Sequence, residues 1–105
     1  MSAGDGPTLL AAAVALRPEV IVADISMPGF GGIEAVRRLR SLGVTAKVIM
    51  LTMYADVDLM EEALAAGADG YVIKDRAGEE LIRAIHEVSH GATYVSPCVR
   101  RRRAE

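Results

Sequence analysis

A single cysteine, Cys98, leaves this chain unable to close an internal disulfide. No apolar run reaches the ~20 residues of a membrane span or follows the layout of a signal peptide. A surplus of either charge is missing too. Twelve Lys and Arg stand against fourteen Asp and Glu, a net charge of −2, which argues against a protein given over to coating duplex nucleic acid or a membrane surface. Together these absences point to the cytoplasm. What the 105 residues do have is apolar material, 51% of the chain, which is enough for one core and one domain.

From Gly6 and Pro7 a first helix is expected, with Leu9, Ala13 and Leu16 at helical spacing as far as Arg17 and Pro18. Val20 to Asp24 reads as a buried strand. The stretch "GGIEAVRRLRSLG" then puts Val36, Leu39 and Leu42 on one helical face, stopped by Gly43. A second strand, Lys47 to Thr52, leads into "DVDLMEEALAAG". There Asp58 and Glu61 form a capping box, Met60 and Leu64 face inward, and Gly67 terminates the helix. The third strand is "GYVIKD". After it, "GEELIRAIHEVSHG" carries Leu81, Ile85 and Val88 on one face and closes at Gly91, before a short extended "TYVSP" and an arginine-rich tail. Strands alternating with amphipathic helices imply right-handed crossovers and a parallel sheet, hence an α/β fold.

Parallel strands point their C-terminal ends the same way, and Asp24, Thr52 and Lys74 stand at three such ends. Three separate segments thus bring a carboxylate, a hydroxyl and an ammonium to one edge, the place where open α/β sheets hold ligands. Taken singly, each has a bland reading as helix cap, strand filler or solvated rim; only the ordered trio suggests chemistry. A carboxylate can attack phosphorus to give an aspartyl phosphate. The transferred group then wants a cation and a hydrogen-bond donor around its equatorial oxygens, and usually Mg2+. Lys74 and Thr52 have that chemistry, and Asp24 with the backbone carbonyl of Ser26 can offer ligands to the metal.

The segments "DISMPGFGG", "VIMLT", "AAGADGYVIKD" and "GATYVSP" run in this order between about Ala3 and Pro97. They resemble the receiver domains of bacterial two-component response regulators, most of all the subgroup carrying a LuxR-type (NarL/FixJ-like) DNA-binding domain. The resemblance implies a flavodoxin-like three-layer sandwich with Asp24 as phosphoacceptor, Thr52 as switch hydroxyl and Lys74 as the lysine that pairs with the phosphate. By the same likeness Tyr71 is the aromatic that follows Thr52, while Ser26 and Tyr54 tune dephosphorylation. Mg2+ is the implied cofactor, a sensor histidine kinase the implied partner and transcription the implied output. No enzyme activity is implied beyond the domain's own phosphorylation and dephosphorylation. The first strand-helix-strand of such a fold, with the acidic pair that helps hold Mg2+, is absent from the sequence. So is the DNA-binding domain. A partial receiver over 1–97 with a basic linker over 98–105 is therefore expected, with weakened Mg2+ binding and no direct DNA binding by this chain. Its Val20 to Asp24 strand, left as an edge, favours a homo-oligomer or a strand-donating partner. The alternative is a non-phosphorylated interaction fragment or incomplete gene product that works only by protein binding.

Other motifs lead less far. "HEVSH", His86 to His90, matches the H-E-x-x-H pattern of zinc proteases, but no further histidine follows and Val88 belongs to the core stripe. Haloacid-dehalogenase phosphatases carry a second aspartate where this chain has Ser26. Four arginines in "VRRRRAE" without interleaved aromatics read as a solvated linker, and Cys98 has no activating surroundings.

Overall fold

The computed structural model describes residues 11, 15, 16, 18–26 and 31–99. Its elements are β1 (Val20–Asp24), α1 (Gly31–Ser41), β2 (Lys47–Thr52), α2 (Val57–Ala66), β3 (Gly70–Ile73), a 3-10 turn (Lys74–Arg76), α3 (Ala77–Ser89) and β4 (Tyr94–Val95). The strands form one parallel sheet in the order β1-β2-β3-β4.

Alternation along the strands divides the apolar residues between two layers. Ile21, Ala23, Val48, Met50, Tyr71 and Ile73 face α1 and α2, where they meet Val36, Leu39, Met60 and Ala63. Val20, Val22, Ile49, Leu51 and Val72 face α3, against Leu81, Ala84, Ile85 and Val88. The result is the expected three-layer sandwich. With nearly every β2 and β3 side chain buried, the strands read as near-continuous apolar runs, as in sheets covered on both faces.

The "TYVSP" segment is extended at Tyr94 and Val95, as expected, and there it adds a fourth strand that pairs with β3. Because α3 lies on the opposite face from α1 and α2 while the strand order runs on, the third connection has the opposite hand to the first two. In that connection α3 packs back over β2 and β3 before the chain reaches a strand of only two residues.

Leu42 is 59% exposed, not core. Each step of three residues falls about 60° short of a full turn, so Leu42 lies about 120° from Val36, and α1 has already ended at Ser41. The cap of α2 is Asp56, whose carboxylate accepts the N–H groups of Asp58 and Leu59 at 2.9 and 3.2 Å, so the Asp58–Glu61 box is not the capping pair. Gly67 does terminate α2, in left-handed conformation at φ 115°.

Of the first expected helix, Leu9 and Ala13 lie outside the described residues; Leu16 is helical but 70% exposed, with no described element packed over it. The packed core also runs past Pro97. Cys98 leans on it and Val99 is fully buried within it. No helix among the described residues is long and apolar enough to cross a membrane.

Candidate functional site

Register builds the site. Asp24 pairs with Leu51, which puts Thr52 one step beyond it, and Thr52 pairs with Ile73, which puts Lys74 one step beyond again. The three expected residues therefore stagger across one edge. The Asp24 and Lys74 side chains meet in an ion pair through Oδ2 and Nζ. The other carboxylate oxygen, Oδ1, accepts the Ser26 N–H at 3.1 Å. Burial alone would push the Asp24 carboxyl up. The Lys74 hydrogen bond, the Ser26 N–H and the lysine's charge together outweigh it and hold the group below the ordinary aspartate value of 3.8.

A carboxyl lowered in the folded state contributes stability above its unfolded pKa and loses it as pH falls through the folded one. The stability difference between the native chain and Asp24→Asn should therefore be flat near neutrality and shrink on acidification below pH 3.8. Urea titrations of both proteins along a pH series measure this directly; a gap that persists into strong acid would show that Asp24 is not ionically engaged.

Thr52 is buried, at 2% exposure, and its hydroxyl accepts the Tyr54 N–H at 3.1 Å. The Tyr54 carbonyl in turn accepts the Tyr71 hydroxyl at 2.7 Å. The Tyr54 backbone is thus held at both its N–H and its carbonyl by residues of β2 and β3, while its own ring is 61% exposed. Tyr71 is fully buried. That burial pushes its phenol up, partly offset by a hydrogen bond from Thr52 and reinforced by the nearby Asp56 carboxylate.

The glycines that follow Asp24 now have a reason. Gly31 sits at φ 77°, open to glycine at little cost. Gly32 donates its N–H to the Ile25 carbonyl at 3.0 Å, and a Cβ there would stand 2.6 Å from the Asp24 carbonyl oxygen and 2.9 Å from Ile25 Cα. Helix α1 therefore rests directly on the backbone that carries the carboxylate. Gly32→Ala should cost about 1–3 kcal/mol by overpacking and displace Asp24. Chemical denaturation with amide shifts around residue 24 will report it, and a neutral substitution would mean that the loop yields freely.

For a metal, the described residues fall short. Asp24 and the Ser26 carbonyl can contribute oxygen ligands, but no group of three or more His, Cys, Asp or Glu side chains among the described residues could hold an ion. His86 and His90 do share a face of α3, with ring centroids 4.3 Å apart, and they too lack a third ligand among those residues.

Two polar groups escaped sequence reasoning. At the opposite edge of the sheet Arg40 and Asp69 form a staple, and beside Lys74 the Ser96 hydroxyl joins Ile73 to Glu80. Their partners lie 16 to 29 residues apart, so no local spacing could have announced them.

Comparison with known proteins places the chain in a family. Residues 1–86 match the response regulator receiver domain family. The chain is 39% identical over 89 residues to the uncharacterized transcriptional regulatory protein YxjL of Bacillus subtilis, covering 85% of this chain and 41% of that protein. It is 37% identical over 92 residues to the response regulator GacA of Pseudomonas aeruginosa, covering 88% of this chain and 43% of that one. Less than half the length of these curated relatives is thus spanned. A crystal structure of a LuxR-family two-component response regulator from an Aurantimonas species superposes with a TM-score of 0.89 at 32% identity, covering 98% of this chain and 76% of that one.

Proposed function

Since the chain belongs to the response regulator receiver domains of two-component signalling, we propose that Asp24 accepts a phosphoryl group and that Lys74 and Thr52 serve the transfer. The Asp24–Lys74 ion pair at the strand ends carries this reading. An Asp24 oxygen attacks the phosphorus of the donor, a sensor histidine kinase or a small acyl phosphate; the bond from phosphorus to the donor's leaving atom breaks, and a mixed anhydride forms on Asp24. No proton is needed from Asp24, which is held ionised. Lys74 then faces the charge of the equatorial oxygens, and Thr52 offers its hydroxyl. The relatives are response regulators rather than classical enzymes. Chemistry here is confined to the domain's own phosphoryl group, in the cytoplasm.

Drawing Thr52 toward the phosphoryl group would cost it the Tyr54 N–H and loosen the Tyr54 backbone on whose carbonyl Tyr71 is anchored. That route links Asp24 to the surface of α2 and β3, with Ser26 and Tyr54 at its rim tuning dephosphorylation. Transcriptional output belongs to the longer relatives, and here it is part of the same proposal. Receiver domains generally bind Mg2+ at the phosphorylation site. Two unit charges ~4 Å apart attract by roughly 4 kcal/mol at an effective dielectric of ~20, so each carboxylate beside Asp24 would count heavily in how tightly the metal is held.

Incubating the chain with acetyl phosphate and Mg2+, then measuring intact mass for native protein and Asp24→Asn, tests the assignment. One phosphoryl adduct on the native chain and none on the variant is expected. Equal adducts in both would overturn it, and no adduct in either would favour a fragment that works by binding alone.

A second reading, that of a chain completed by another copy or by a strand-donating partner, is favoured by one observation: β1 is the last strand on its side of the described sheet. Light scattering should then show self-association that Val22→Lys reduces. A monomer at high concentration, indifferent to that substitution, would count against it.

A further inference from the structure

We propose that Ser96, aimed by Glu80, is a positioning residue for Lys74, fixing the strand end from which the lysine reaches Asp24; the proposal rests on the reading of Asp24 as the phosphoacceptor. Ser96 is fully buried, one residue past the end of β4. The β3–β4 ladder pairs Gly70 with Tyr94 and Tyr71 with Val95, and the Ser96 N–H donates to the Tyr71 carbonyl at 2.9 Å. There the backbone ladder stops and a side chain takes over. The Ile73 N–H, last of β3, is accepted by Ser96 Oγ at 3.0 Å, immediately before the turn that opens at Lys74.

A serine hydroxyl can rotate and has one proton to give. Here its direction is set. Having accepted from Ile73, it donates to Glu80 Oε1 at 2.8 Å, and the same oxygen accepts the Tyr94 hydroxyl at 2.9 Å. Glu80 lies in the first turn of α3, so the helix holds the carboxylate, the carboxylate holds the hydroxyl, and the hydroxyl holds the strand end. An ionised carboxylate only accepts, which leaves the chain of donors a single polarity. Lys74 itself has a long, flexible stem, and its side chain is 40% exposed. A fixed origin for that stem narrows where the ammonium can be found, and positioning of this kind is a large part of phosphoryl transfer.

A purely structural serine would satisfy the Ile73 N–H, stabilise the domain and do nothing else. Carbon-13 NMR titration of the Asp24 carboxyl in the full chain separates the two roles, because it reads the Lys74–Asp24 contact and needs no phosphodonor. Ser96→Ala should raise the Asp24 titration midpoint, because the lysine that lowers it is less well placed. Ser96→Thr should restore it, and Val88→Ala, a core truncation elsewhere on α3, should leave it unmoved. Should Ser96→Ala fail to fold, Glu80→Ala keeps the hydroxyl but removes its director, and the same upward shift is expected. With acetyl phosphate, the rate of adduct formation in Ser96→Ala should fall about tenfold or more.

An Asp24 titration unchanged in both the Ser96→Ala and Glu80→Ala proteins overturns the proposal, as does an equal shift in Val88→Ala. A chain that takes no phosphate at all but shows the Ser96-dependent shift would keep the positioning role and reject the phosphoacceptor reading.

Discussion

Lys74→Gln is expected to slow phosphoryl transfer to Asp24 from a small acyl phosphate by about 30- to 10³-fold, the loss typical of removing one preorganised charge-stabilising group less a small offset. Two effects oppose one another. Loss of the lysine frees a carboxylate that is otherwise engaged in an ion pair, which by itself would make Asp24 a readier nucleophile. Both partners are about one-third or more exposed, at 40% and 33%, so breaking their pairing releases no more than about 1 kcal/mol. Against this stands about 3–4 kcal/mol of lost stabilisation for charge on the transferring group. The loss wins. Single-turnover rates by intact mass, at pH 7 where Asp24 is ionised with or without its partner, measure the net effect. A rate unchanged or raised in Lys74→Gln would mean that the lysine only masks the carboxylate in the resting state.

The other large effect lies at the far edge of the sheet and concerns stability alone. Arg40→Met should cost about 3 kcal/mol, a large share of the 5–15 kcal/mol that holds a typical domain together. The Arg40 guanidinium donates to the Gly67 carbonyl at 3.1 and 2.8 Å, to those of Val44 and Ala46 at 2.8 Å, and to the Asp69 carboxylate at 3.0 Å. Asp69 passes the restraint on by accepting the Val48 N–H at 2.9 Å. One side chain thereby ties α1 to the entries of β2 and β3. Methionine fills the space but leaves carbonyls without donors, and among the described residues Asp69 keeps only Lys47, at 4.0 Å, as a cation. Arg40→Lys should recover part of the loss, since an ammonium brings charge without the planar fork that serves several acceptors. Urea denaturation midpoints at constant slope report both variants. A change below 1 kcal/mol for Arg40→Met would reduce the network to a solvated surface contact. Gly67 fits the same arrangement: a Cβ there would stand 2.8 Å from Arg40 Cγ, at a φ of 115° that favours glycine in any case.

By itself the sequence determined where the strands end and what stands there. Apolar runs stop at Asp24, Thr52 and Ile73, parallel strands share one direction, and so the carboxylate, the hydroxyl and the ammonium of Lys74 had to come out on one edge. Gly67 as a helix stop and Met60, Leu81 and Val88 as inward positions were legible for the same reason, since they depend on neighbours within a turn or two of chain. Tertiary structure alone decided the rest. Register set the one-residue stagger that joins Asp24 to Lys74, and the packing of α3 back over β2 and β3 brought Glu80 to Ser96 and Ser96 to Ile73. The order of the sheet laid Arg40 over Asp69, 29 residues away. Local periodicity fixes which face of an element is apolar. Which polar group meets which across the sheet depends on register and strand order, and these emerge only when the layers pack together.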